Sequence, residues 1–200
     1  MKSGLSGDQS FTEEHIQTRL MNHAFLSALP PENLRWRRAA VLVPLLKTAS
    51  GWDVLFIVRT HTVAEHKGQV AFPGGTMDPE DISLADTALR EAQEEVGLNP
   101  ANVRILGSLP DFYTISNYLI TPFVGVIDWP FKILPSLEEV SRVFTIPLVW
   151  LAAPIHYEER PYIRPESVYE NVIFYQPYDG EILWGATARI MLTFLEILGL

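Results

Sequence analysis

The 200-residue chain contains no cysteine. A disulfide framework, a thiolate nucleophile and a cysteine-built zinc site are therefore excluded, and the lack of thiols fits a cytoplasmic protein. Basic residues are scarce: 15 Lys and Arg stand against 24 Asp and Glu, for a net charge of −9. Nonspecific nucleic-acid binding and attachment to an acidic membrane both call for a basic face, so neither partner is expected. An acidic protein still binds phosphorylated small molecules where metal ions invert the local charge. Residues 1–9 lack the apolar core of a signal peptide and read as a flexible lead-in. The near-wholly apolar ATARIMLTFLEILGL at 186–200 is too short to span a bilayer. It reads as a core helix or a subunit-interface helix, the second of which allows a homodimer. Serine-nucleophile elbow, phosphate-loop lysine, G-x-G-x-x-G and H-E-x-x-H patterns are all missing.

What remains is 48% hydrophobic, with no repeat and no shift in composition, which predicts one domain over residues 10–200. The most informative stretch is GQVAFPGGTMDPEDISLADTALREAQEEVGL, from Gly68 to Leu98. It reads as strand, glycine turn, acidic loop and helix. Ala85, Ala88, Leu89, Ala92 and Val96 recur at three and four, forming the packing stripe of the helix. Glu91, Glu94 and Glu95 fall together on a neighbouring arc, where like charges repel. Either water solvates that face or a cation sits among the carboxylates, and a hard divalent ion takes oxygen ligands. Gly74 and Gly75 allow a sharp turn after Pro73, Asp78, Glu80 and Asp81 add acids to the loop, and Gly97 suits a left-handed helix cap.

Around this stretch the pattern predicts alternating elements. An amphipathic helix over Ser10 to Leu29 starts at Ser10 or Thr12, packs through Phe11, Ile16, Leu20, Phe25 and Leu29, and stops at Pro30–Pro31. Ala39–Leu46 and Trp52–Arg59 form a hairpin, and Gln69–Phe72 runs into the glycine turn. His66 and Lys67 read as solvated surface. Val103–Leu109 and Tyr118–Ile127 are further strands. Tyr113 and Tyr118 either stack on a base or belong to aromatic packing. His156–Pro165 reads as a long loop or lid, and Val172–Tyr175 with Glu181–Trp184 as a final hairpin. The order implies a mixed sheet flanked by helices.

The central stretch resembles the Nudix hydrolase signature: glycine, five residues, glutamate, seven residues, then R-E-U-x-E-E-x-G-U, with U aliphatic. Gly75 matches the first glycine, and Arg90, Glu91, Ala92, Glu94, Glu95, Gly97 and Leu98 match the second part. Asp81 stands where the first glutamate belongs, with Glu80 the nearest actual glutamate, and the gap to Arg90 is one residue longer. Upstream, Arg59, Gly68 and Phe72-Pro73-Gly74-Gly75 match the L-L-T-x-R-[SA]-x3-R-x3-G-x3-F-P-G-G pattern of coenzyme A pyrophosphatase-like members. Thr60 replaces its serine or alanine, and Ala64 its second arginine.

The resemblance implies a Nudix-type α/β/α sandwich with an N-terminal helix and an apolar C-terminal helix. It also implies Mg2+ or Mn2+ as cofactor, with Glu91 and Glu95 as primary ligands and Glu94 as a further one. Arg90 is expected to orient a glutamate, and Arg59, Gly68, Phe72, Gly74 and Gly75 to contact substrate. Many relatives bring a distal glutamate back to the metals, here Glu139 or, second, Glu138. The general base is Glu139 or one of the helical trio. The implied reaction splits coenzyme A or its acyl esters into adenosine bisphosphate and a phosphopantetheine derivative. Hydrolysis of ADP-ribose, a dinucleotide or a nucleoside triphosphate is the alternative. A noncatalytic binding module ranks last, because all three helical glutamates are present.

Overall fold

The computed structural model of the chain describes residues 11–23, 36–60, 68–164 and 167–200. The elements run α1 (Glu13–Asn22), β1 (Arg37–Thr48), β2 (Gly51–Arg59), β3 (Val70–Ala71), β4 (Gly74–Thr76) and α2 (Leu84–Val96). They continue with β5 (Val103–Ser108), β6 (Phe112–Tyr113), β7 (Tyr118–Ile127), β8 (Val140–Pro147) and α3 (Leu148–Leu151). The chain closes through β9 (Tyr157–Arg164), β10 (Ser167–Tyr175) and α4 (Gly185–Leu198).

β1 and β2 are near-continuous apolar runs because both of their faces are buried. Alternation divides the side chains between two layers. Ala40, Leu42, Leu46, Leu55 and Ile57 pack with Ala88, Ala92 and Val96 of α2. Val43, Leu45, Val54 and Phe56 share the opposite core with Ile16 and Leu20 of α1 and Ile190, Met191 and Phe194 of α4. A mixed sheet thus lies between helices, and α4 is a core helix. No helix among the described residues is long and apolar enough to cross a membrane.

The topology explains where the glycine turn sits. β1 pairs in parallel with β7 along one edge, and antiparallel with β2 and β4 along the other. β2 meets β1 only over Gly51–Val54, because farther along that edge is taken by β3, while β8 covers the opposite edge. The two long strands therefore diverge, and the Pro73–Gly75 turn fills the wedge between them. The Leu42 N–H donates to the Pro73 carbonyl at 2.8 Å. At Gly74 the fit leaves no room for a side chain, since an added Cβ would come within 2.6 Å of Val41 Cα. Backbone cannot yield as a flexible side chain can. Gly74→Ala is expected to lower stability by about 2–3 kcal/mol, read as a shift in the urea midpoint. An unchanged midpoint would contradict this account of the wedge.

The caps follow side-chain chemistry. Thr12, of the two alternatives, caps α1, its hydroxyl accepting the His15 N–H at 3.1 Å. Ser83 does the same for α2 through the Asp86 N–H at 3.2 Å, and Gly97, at φ 74°, closes that helix in the left-handed region. Positions 24–29 of the expected first helix, and Ala64, His66 and Lys67, lie outside the described residues, as do residues 1–10.

At the C-terminal end one expectation fails and another holds in part. The segment read as a loop or lid is strand β9, paired with β10 from Tyr157↔Tyr175 to Arg164↔Ser167. Pro161 suggested irregular chain, but the ladder shifts register between Tyr169 and Val172, opposite that proline. A bulge absorbs the missing donor there, with Asn171 at φ 59°. Val172–Tyr175 and Glu181–Trp184 do meet antiparallel around the 177–180 turn, but the second segment forms no strand of its own. They meet through the bridges Phe174↔Trp184 and Tyr178↔Glu181 and the Tyr175 N–H on the Leu183 carbonyl at 2.8 Å.

Candidate active site

The three glutamates of α2 share one turn but not one environment. Glu94 is exposed, at 57% of its side-chain surface, Glu91 retains 16%, and Glu95 only 1%. The apolar stripe read from the sequence is displaced accordingly. Ala88, Ala92 and Val96 are buried as expected, whereas Leu89 is only half-buried and Glu95 lies on the packing side. Glu95 reaches the sheet because the glycine turn offers it a donor: the Gly74 N–H bonds Oε2 at 2.9 Å. Arg59, from the end of β2, meets Oε1 at 3.2 Å. Burial still dominates and pushes the Glu95 carboxyl up to about 8, against the downward pull of those two partners.

Glu91 lies across Gly75. An added Cβ on that glycine would stand within 2.6 Å of Glu91 Oε2, so the carboxylate occupies the space that a side chain would need. Burial raises the Glu91 carboxyl, Arg90 opposes this, and the charges of Glu94 and Glu139 add to the rise. Glu139 also pushes on Glu95. Glu139, one of the two distal acids expected, thus adds its charge to both members of the helical pair. Its loop is tied to the end of α2 by the Ser136 N–H on the Glu95 carbonyl, at 3.0 Å. Thr60 holds the other side: its N–H donates to the Glu139 carbonyl and its hydroxyl to that of Glu138, both at 2.8 Å. Thr60 was not legible as a site residue, since its partners lie 78 positions away along the chain.

Arg90 is the hub of the acidic loop. Its guanidinium meets Asp81 at 3.0 and 3.1 Å, Glu91 at 3.0 Å, Glu94 at 3.0 Å and the Thr76 carbonyl at 3.1 Å. Asp81 also accepts the Thr87 hydroxyl at 2.8 Å and the Asp78 N–H at 2.9 Å. The hydrogen bonds from Arg90 hold the Asp81 carboxyl down at about 2. Between the two acids left open by the sequence, Asp81 takes the inward position and Glu80 is exposed. The shorter carboxylate reaches the arginine because Ser83 starts the helix just after it.

The upstream residues separate. Arg59 and Gly68 are joined by the Gly68 N–H on the Arg59 carbonyl at 3.1 Å, which closes the β2–β3 connection. The Arg59 Nε is buried with no hydrogen-bond partner among the described residues, while the side chain as a whole is 24% exposed. Phe72 is 3% exposed and stacks on Phe56 at 5.0 Å. It braces the glycine turn from within the core, which corrects the expectation that it touches substrate. Tyr118 lies under the Arg37 guanidinium, and Tyr113 packs edge-on against Trp36.

Among the described residues no three acid or histidine side chains stand as a ready-made metal cluster. The reason is visible in the contacts: Glu91 leans on Arg90, and Glu95 on Gly74 and Arg59. A carboxylate oxygen with one hydrogen bond keeps a lone pair for a cation. An all-oxygen donor set whose members raise one another's affinity for positive charge fits a hard divalent ion. Gly75, lacking a Cβ, leaves Glu91 the room to turn toward one.

A model of the NUDIX domain matches residues 36–166. The chain is 38% identical over 155 residues to an uncharacterized Nudix hydrolase NudL of Pectobacterium atrosepticum, covering 78% of this chain and 79% of that one. It is likewise 38% identical over 166 residues to a NudL of Escherichia coli strain SMS-3-5, covering 80% and 82%. Among solved structures, a MutT/nudix family protein from Enterococcus faecalis superposes with TM-score 0.51 at 15% identity, over 96% of this chain and 81% of that one. RenU, a Nudix hydrolase from M. smegmatis, gives 0.50 at 20% identity, over 58% and 73%. Both structural likenesses speak to the fold.

Proposed function

The chain belongs to the Nudix family and is a pyrophosphohydrolase, and on that premise we propose that its substrate is coenzyme A or an acyl-coenzyme A. The products are adenosine bisphosphate and a phosphopantetheine derivative, and the reaction runs in the cytoplasm with Mg2+ or Mn2+. The observation that carries the reading is the Glu91 carboxylate lying over Gly75, with the charges of Glu94 and Glu139 acting on it and its own acting on Glu95. Glu91 and Glu95 hold the metal, with Glu94 as a further donor from solvent. When bound, the ion neutralises phosphate charge and acidifies water.

The chain's own residues do the rest. Arg90 fixes the direction of Glu91 by gripping it together with Asp81, so the ligand does not swing when substrate arrives. Arg59, whose side chain is 24% exposed, donates from its guanidinium to a substrate phosphate oxygen. Gly74 and Gly75 let the pyrophosphate approach backbone without obstruction, and Gly68 sets the connection that aims Arg59. Glu139, held at its carbonyl by Thr60, accepts the proton of the attacking water. Coenzyme A leads because Arg59, Gly68 and the FPGG turn match that subgroup's pattern. Ala64, in place of its second arginine, keeps ADP-ribose, dinucleotides and nucleoside triphosphates in the comparison.

The test is a substrate panel with Mg2+: coenzyme A, ADP-ribose, NADH and nucleoside triphosphates, for wild type, Glu139→Gln and Glu138→Gln. Coenzyme A should be preferred, and Glu139→Gln should lose roughly a hundredfold in kcat, with Glu138→Gln close to wild type. Preference for ADP-ribose overturns the substrate. Tight ligand binding with no turnover of anything returns the chain to a binding module.

A further inference from the structure

An open cleft of about 440 Å³ lies beside the catalytic helix, lined by Arg37 and Arg38 at the start of β1 and by Thr76, Met77, Asp78 and Asp81 across from them. Both arginines are exposed, and among the described residues neither has a carboxylate within ion-pair distance. Arg19, Lys47 and Lys132 share that state among the described residues, but none of them lines the cleft. Arg59, Arg90, Arg104, Arg142, Arg160 and Arg189 all have an acid partner. The acids of the cleft itself are already engaged, since Arg90 meets Asp81 at 3.0 Å and Asp78 at 3.8 Å. Arginines on the wall of a cleft with no acid partner are suited to an anion that arrives from outside.

The cleft is preformed and close to the reaction centre. The Met77 N–H donates to the Arg38 carbonyl and the Arg37 N–H to the Asn117 carbonyl, both at 2.9 Å, so backbone ties the two walls together. The Arg37 guanidinium lies 4.6 Å from the Tyr118 ring centroid, a cation–π contact that steadies it. Thr76 lines the cleft, and the residue before it is Gly75, over which Glu91 lies. A ligand that places its pyrophosphate at Glu91 therefore extends one end toward the arginines. The volume is that of a small-molecule site.

We infer that this cleft takes the nucleoside end of the substrate and that Arg37 and Arg38 bind a second phosphate carried there, a phosphomonoester on the ribose. The assignment rests on the pyrophosphohydrolase reading of the adjoining centre and narrows its substrate class. Pyrophosphates whose nucleoside half bears an extra phosphomonoester, as coenzyme A does, are selected over those with a bare ribose, such as ADP-ribose or dephospho-coenzyme A. A dianion near these exposed cations gains charge-assisted contacts that a ribose hydroxyl cannot make.

The experiment uses the full chain and two product-like nucleotides that need no turnover. Calorimetry should show adenosine 3′,5′-bisphosphate binding wild type about tenfold or more tightly than adenosine 5′-monophosphate. In the doubly substituted R37Q/R38Q that ratio should fall to about one, and R37K/R38K, with charge but no fork, should lie between. In turnover, the preference for coenzyme A over dephospho-coenzyme A should collapse in the same variants, through KM. Equal affinity of wild type for the two nucleotides, or an undiminished ratio in R37Q/R38Q, overturns the subsite. The two readings separate cleanly. Discrimination between the nucleotides without hydrolysis of any pyrophosphate keeps the subsite and discards the reaction. Hydrolysis of coenzyme A without discrimination does the reverse.

Discussion

Glu91→Gln should reduce turnover of the preferred pyrophosphate about a thousandfold while the protein stays folded. Glu91 is the half-buried member of the acidic group, with Glu94 and Glu139 opposing its charge and Arg90 supporting it. Glutamine keeps the volume and an acceptor for Arg90 but loses the charge that binds a metal ion. Removing a carboxylate whose ionised form burial disfavours does not weaken the fold, so the melting temperature should hold or rise slightly. Gly75→Ala tests the same group without touching it. The new methyl would stand within 2.6 Å of Glu91 Oε2 and drive the carboxylate from its place. A displacement near 1 Å in such a centre costs about a hundredfold. Steady-state kinetics at saturating Mg2+, with a thermal melt of each variant, check both. Retention of more than about a tenth of wild-type kcat by Glu91→Gln would remove it from the centre of the site.

The second large effect is a dependence on pH. The Glu95 carboxyl is raised by burial from an ordinary 4.5 to about 8, so between those values the folded, metal-free chain keeps a proton that the unfolded chain has released. Folding is thereby linked to proton binding, and the contribution of Glu95 falls as pH rises through that window. In the presence of a chelator, the stability difference between wild type and Glu95→Gln should change by on the order of 4 kcal/mol from pH 4.5 to 8.5, with the variant gaining on wild type. Metal works against the proton. A cation bound at Glu95 must displace it, so Mg2+ affinity should strengthen toward pH 8, with proton release that Glu95→Gln abolishes. Urea melts across pH, and Mg2+ titrations in buffers of different ionisation enthalpy, read the two effects. Parallel stability curves for wild type and variant would show that Glu95 titrates normally.

Much of this was readable from one dimension. The 31-residue stretch from Gly68 to Leu98 announced strand, turn, acidic loop and capped helix, and all of these form. The β1–β2 hairpin was equally plain, because runs such as AAVLVPLL and VLFIV have few other ways to be buried. Failures came where a local signal met a distant partner. Pro161 argued for a loop, yet β10 supplies a ladder whose bulge falls opposite it. Leu89 looked like core by spacing, and Glu95 like surface. The register of α2 against the glycine turn reversed that order, because an N–H in the wedge was waiting for an acceptor. Phe72 sits inside a recognition pattern but spends its ring on the core.

The division between the two sources of information has a physical basis. Periodicity, caps and the spacing of carboxylates are short-range properties, settled within a helical turn or a strand pair, so the chain alone determined the order of its central elements, its fold class and which turn carries the chemistry. Burial, charge state and pairing depend on what long-range folding brings alongside. Only the packed molecule decided that Glu95 is enclosed with Arg59, that Asp81 rather than Glu80 meets Arg90, and that Arg37 and Arg38 line a cleft with no ion-pair partner among the described residues. Electrostatic energies are set by distance and dielectric in space, and neither can be counted along a sequence.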